Sequence, residues 1–188
     1  MNSTFQSFKN HFLIAMPSLT EGIFAHSITY VCEHSDQGAM GIVINRPMGM
    51  PLRDILDHLH IEDARSHLDD PVMAGGPVQT DRGFVLHRTG EQRWESTIVI
   101  SDEVSLTTSR DILDSMAHAD GPHDSLVALG YAGWSGGQLE EEIAANAWLT
   151  LPADSAIIFS VPVAQRLNAA AAKLGVNMAL MTPGAGHA

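Results

Sequence analysis

Lysine is nearly missing from this chain: Lys9 and Lys173 are its only two, and eight arginines bring the cations to ten against 22 carboxylate side chains. The formal net charge at pH 7 is −12. Binding to a phosphate backbone draws mainly on cations that displace condensed counterions, and the arginines are scattered, with no basic run and no arginine-rich helix. Direct binding to nucleic acid or to an anionic membrane surface is therefore not expected. Cysteine is almost as scarce. Cys32 stands alone, so no internal disulfide can form, in keeping with a reducing compartment. Long hydrophobic runs are missing too: residues 12–16 and 41–44 are a handful each against the ~20 that a membrane-spanning helix needs. Only Lys9 precedes the first of them and Pro17 ends it, too short for the apolar centre of a secretory signal, so the expected location is the cytosol.

What is present has an ordinary globular composition. Hydrophobic residues make up 45% and charged ones 17%, and 188 residues suffice to bury a core without metals or disulfides, so one domain over residues 1–188 is expected. Residues 12–16, 27–34 and 39–44 read as strands, with Asp36-Gln37-Gly38 turning a hairpin between the last two. Helical spacing follows. Pro51 suits a first helical position, and Leu52, Ile55, Leu56 and Leu59 form an i, i+3, i+4, i+7 stripe. Short runs at 72–74, 83–87 and 97–100 look like further strands. A second helix is expected over 107–117, with Ile112, Leu113, Met116 and Ala117 on one face, and a strand over 125–131. After a glycine-rich turn at 133–137, Ser135 and Gln138 stand in capping-box spacing ahead of a third helix carrying Leu139 and Ile143. Residues 148–151 and 156–159 read as two more short strands. Ser160, Pro162 and Gly175 punctuate a last helix with Leu167, Ala171 and Leu174 on one side. Strands lead and later alternate with helices, which predicts an α+β class with a mixed, mainly antiparallel sheet and about four helices.

Several blocks stand out: Phe12-Leu13-Ile14-Ala15-Met16-Pro17, Tyr30-Val31-Cys32-Glu33-His34, the run from Gly38-Ala39-Met40-Gly41 to Asn45-Arg46-Pro47, and Gly75-Gly76-Pro77. Further on come Asp81-Arg82-Gly83-Phe84, Thr107-Thr108-Ser109-Arg110-Asp111, and Gly130-Tyr131-Ala132 through Gly137-Gln138-Leu139-Glu140 to Asn146-Ala147-Trp148. In this order, over nearly the whole chain, the blocks resemble the AlgH/YqgE-like family of bacterial proteins. The resemblance implies a compact α+β fold with a strongly bent sheet, and it carries over no catalytic residues. The family's namesake is described as a transcriptional regulator of alginate production, a phenotype that leaves the molecular act open. With a charge of −12, any such effect here is expected to be indirect.

A few residues could carry chemistry. Strand alternation places Cys32 and His34 on one face, where the imidazole could favour a thiolate for redox sensing or nucleophilic attack; the plainer reading is a packed cysteine. The turn from Gly130 to Gly137 lies between strand and helix, and its Trp134, Gly136 and Gly137 are candidate ligand contacts. No P-loop Lys-Ser or Lys-Thr follows, and Glu140, Glu141 and Glu142 make it unfavourable for an anion, reading instead as a solvated helix start. Asn45 and Arg46 end a strand, with Arg46 suited to a carboxylate or phosphate, or to an internal ion pair. Gly75 and Gly76 suggest a turn where another backbone or a small ligand comes close. His58, His60 and His67 suggest metal by composition alone; 58 and 60 do not share a helix face, so no metal or other cofactor is expected. The preferred expectation is a non-enzymatic regulatory or ligand-binding module for a small ligand or protein partner. The alternatives are a cysteine-dependent enzyme or redox sensor using Cys32 with His34, and a regulator that binds DNA directly.

Overall fold

The first three apolar runs build one side of a sheet. β1 (His11–Ala15), β2 (Ile28–Ser35) and β3 (Gly38–Val43) pair antiparallel in sequence order, and Asp36-Gln37 turns the β2–β3 hairpin. The computed structural model describes residues 4–20, 22–62, 68–118 and 120–181. A short strand, β4 (Pro47–Pro51), leads into α1 (Leu52–His58), whose Leu52 and Leu56 are buried as the stripe requires. β5 (Pro71–Ala74), the long β6 (Val78–Arg88), β7 (Thr97–Val99) and β8 (Val104–Thr107) follow, then α2 (Asp111–Ala117). The chain continues through β9 (Ser125–Ser135), α3 (Gln138–Ala144), β10 (Trp148–Pro152), α4 (Ser155–Phe159) and α5 (Arg166–Lys173).

The main strand order is β10-β1-β2-β3-β9-β6-β8-β7, antiparallel throughout, with β5 joining β9 in parallel and β4 beside it. β9 serves both halves: residues 132–135 pair with β3, and residues 125–129 pair with β6. The sheet curls into a half-barrel. The curl closes far enough to bring the Tyr30 hydroxyl of β2 beside Ser101, between β7 and β8. Accordingly, Leu151 of β10 and Leu106 of β8 share one core with Ile157, Ile158, Ala170 and Ala171, where α4 and α5 fill the concave side. The opposite face carries two smaller cores, one beneath α1 and α2 and one beneath α3. The class is α+β, with five α-helices among the described residues. No helix among these residues is long and apolar enough to cross a membrane.

Four local expectations change. Residues 156–159 form helix α4 instead of a strand, because Asp154 accepts from the Ala156 N–H at 2.9 Å and caps it, a signal that a four-residue apolar run does not carry. Ser160 consequently closes α4, and α5 opens only after a 3-10 turn at Val163–Gln165. The second helix starts at Asp111; residues 104–107 are a wholly buried strand. The glycine-rich turn at 133–137 is strand as far as Ser135. Gly137, in the left-handed region at φ 81, caps α3, while Gln138 Oε1 reaches back to the Ser135 N–H at 3.0 Å.

Candidate functional site

Cys32 and His34 do not meet as strand alternation predicts. Val31 pairs with Gly41 and Glu33 with Met40, so Cys32 is the extra residue of a β-bulge, and the bulge reverses the faces beyond it. Cys32 is fully buried in the concave core with Tyr30 and Ile28. Burial, aided by the charge of Glu33, pushes its thiol far above the ordinary range despite Lys9. His34 packs on Phe5 and Phe8. Its Nδ1 accepts from the Phe8 N–H at 2.8 Å, which places the proton on Nε2, and Nε2 donates to Glu140 Oε1 at 2.7 Å. The pair joins β2 to α3.

The glutamates of α3 are therefore more than a solvated helix start. Glu142 Oε2 accepts both indole N–H groups, from Trp134 at 2.6 Å and Trp148 at 3.0 Å, tying α3 to β9 and β10. Trp134, a candidate ligand contact, is 7% exposed and committed to this bridge. A Cβ on Gly136 would come within 2.6 Å of the Asp36 carbonyl oxygen, so this glycine meets the β2–β3 turn. Asn45 and Arg46 also hold backbone: Asn45 accepts from the Ile28 N–H and donates to the His26 carbonyl, and Arg46 donates to the carbonyls of Gly22 and Ala25. The space beside Gly75 and Gly76 is taken by β9, a Cβ on Gly76 lying 2.0 Å from the Tyr131 carbonyl carbon. His58 ends α1, His60 follows in the left-handed region at φ 57, and His67 lies outside the described residues. Among the described residues, no three metal-ligating side chains gather.

Openings lie instead on either side of β6. Its alternation divides them: Asp81, Gly83 and Val85 face one, and Arg82 and Phe84 the other. On the concave side runs a wide groove, where the Arg82 guanidinium sits 5.4 Å over the Phe84 ring and Tyr131 meets the same ring edge-on. On the helical side, between α1 and α2, lies a more enclosed cavity of about 510 Å³. Ile55, Leu59, Val85, Leu113, Val127 and Leu129 make its walls, and Asp54, His58, Asp81 and Arg110 stand at its rim. Arg110 is held by the Leu59 carbonyl at 2.8 Å, bridging the two helices across the mouth. Ser109 donates to Asp111 Oδ1; partial burial raises that carboxyl, but this bond and the Glu95 N–H outweigh it and hold it below the usual range. Volume, apolar walls and a few polar groups match what small-molecule sites require. Single-sequence reading missed this cavity, because its lining comes from α1, β6, β9 and the 107–110 segment. The available signal was that the 81–84 and 107–111 blocks both carry the family resemblance.

These features define a class: an α+β half-barrel with an apolar side cavity, in which Cys32 and His34 are held apart. The AlgH-like family model matches residues 12–179, and the chain belongs to that family. The UPF0301 protein of Saccharophagus degradans is 56% identical over 184 residues, covering 98% of this chain and 90% of the relative. The UPF0301 protein AlgH of Pseudomonas aeruginosa is 53% identical, covering 96% and 95%. The solution structure of the Pseudomonas aeruginosa AlgH protein superposes at a TM-score of 0.80, with 49% identity and full coverage of both chains. A crystal structure from Corynebacterium diphtheriae shares the fold, with a TM-score of 0.75, 16% identity and coverage of 97% and 95%.

Proposed function

We propose that this chain is a non-enzymatic module that binds a small, largely apolar ligand in the cavity between α1 and α2, and that any influence on gene expression passes through that ligand or a protein partner. The observation that carries the reading is the cavity itself: a partly enclosed, mainly apolar volume with its charged groups at the rim. The enzyme and redox-sensor readings lose support from the bulge, which buries Cys32 in one core and turns His34 toward another. A thiol that burial keeps protonated is a poor nucleophile.

The test uses N-phenyl-1-naphthylamine, a neutral apolar dye that fluoresces on leaving water. The protein is expected to bind it saturably, and small molecules extracted from protein purified out of cells are expected to displace it. Ile55 lines the cavity from the half-exposed side of α1, so Ile55→Trp should fill the space and weaken binding roughly tenfold while leaving the far-ultraviolet circular dichroism unchanged. Equal dye binding in the two proteins would remove the cavity from the reading.

A further inference from the structure

Arg166 opens α5 and is only 8% exposed, yet no carboxylate among the described residues pairs with it. Its Nε donates to the Val161 carbonyl at 3.1 Å and its Nη1 to the Ile44 carbonyl at 2.5 Å. A guanidinium has five N–H donors, so these two bonds leave others unused, and Nη2 has no partner among the described residues. Buried arginines ordinarily carry a carboxylate or another anion, because a desolvated charge left unbalanced is costly. Burial with no anion opposing it also holds this group below the ordinary arginine pKa.

The arginine lines a cavity of about 260 Å³, where the 159–163 connection meets the start of β9 and the end of α2. Ser125 and Ser160 line it too, and neither hydroxyl has a hydrogen-bond partner among the described residues. The remaining wall is mainly apolar, including Leu52, Met73 and Phe159. One carboxylate, that of Asp70, stands among the lining residues; it is exposed and bonds none of the arginine's nitrogens. We infer that this cavity is a second site, separate from the one between α1 and α2, which takes a small ligand by its oxyanion group, carboxylate or phosphate, on Arg166 with Ser125 and Ser160 as further donors. A planar guanidinium fork matches the oxygens of either group. The volume falls below the roughly 300–1,000 Å³ of drug-sized sites, which restricts the ligand to an anionic head with a short apolar tail.

The experiment titrates the full chain with inorganic phosphate and, separately, with butyrate, against sodium chloride at matched ionic strength. It follows the melting temperature and the backbone amide shifts of Val161 and Arg166. At least one anion is expected to saturate below about 10 mM and to raise the melting temperature beyond chloride. Response to one anion alone supports the site and identifies the oxyanion. The Ser125→Ala/Ser160→Ala double variant, which leaves Arg166 and its carbonyl bonds in place, should weaken binding roughly tenfold. Asp70→Asn should tighten it by removing a like charge. The inference is overturned if neither anion saturates, if the double variant responds as the unaltered protein does, or if Asp70→Asn lowers the melting temperature without changing the anion response, since Asp70 would then be the arginine's own counterion.

Discussion

His87 is 1% exposed and belongs to a hydrogen-bond relay with only one consistent direction. Its Nδ1–H donates to the Arg88 carbonyl at 3.0 Å, so Nε2 must accept from the Thr107 hydroxyl at 2.8 Å; Thr107 in turn accepts from Thr97 at 2.8 Å, and Thr97 accepts from the Trp94 N–H at 2.9 Å. Protonating Nε2 would set two donors face to face. Burial, with the charge of Arg93 adding to it, outweighs the Arg88 carbonyl and holds the imidazole below its ordinary pKa of 6.5. The unfolded chain therefore takes up this proton near pH 6.5 while the folded chain does not, so the stabilising contribution is complete above that pH and fades as pH falls toward the folded value. Urea unfolding between pH 7 and 5 should show stability declining with acid. His87→Gln should flatten that decline by up to about 1.4 kcal/mol per pH unit, the limit for a single proton. An unchanged slope in the variant would assign the decline to other groups.

Among the elements, the meeting of β9 with the 75–76 segment carries the sharpest geometric demand. Gly130 sits at φ 77, and a Cβ there would lie 2.4 Å from the Gly76 carbonyl oxygen, while a Cβ on Gly75 would lie 2.4 Å from the Gly130 carbonyl oxygen. Here β9 passes from β6 and β5 to β3, and only glycine lets the backbones come so close. Gly76→Ala should cost roughly 3 kcal/mol in chemical denaturation, at the upper end of overpacking penalties, whereas Gly83→Ala, with open space at its Cβ, should cost little. Equal losses would mean that the crossing tolerates displacement. The sequence indicated a close approach at Gly75-Gly76, because a glycine pair has few other uses, but not its partner, which lies more than fifty residues downstream. The same division runs through the rest of the fold. The α1 stripe and the β2–β3 hairpin were legible because local periodicity and a turn define them. The Cys32 bulge was not, since alternation assumes an unbroken ladder and only pairing with β3 reveals the extra residue. The short β4 and β8 escaped notice for a related reason: each is a strand by pairing with partners distant in sequence, β4 with β5 and β8 with β6. At the candidate site, Trp134, Asn45 and Arg46 drew attention as polar or aromatic groups beside glycine and proline. Each makes a bond outside its own strand that holds the fold.

For the molecule as a whole, the distribution of charge matters more than its sum. The described arginines are dispersed: Arg46 and Arg93 hold loops, Arg53 meets Asp69, Arg88 meets Asp124, and the three cavities receive one each, Arg82, Arg110 and Arg166. Among the described residues, none of these three openings offers a polyanion a line of cations to set against the net −12. Duplex DNA should accordingly show no mobility shift at about 0.15 M salt or at about 0.01 M, where screening is weakest. Binding at low salt that weakens in Arg82→Ala would reverse that expectation. The shared strand has a mechanical consequence. Because β9 lends one stretch to β3 and another to β6, each half of the sheet would lose an interior neighbour without it, and a cut anywhere in that strand would leave two fragments with raw edges where a continuous wall had stood.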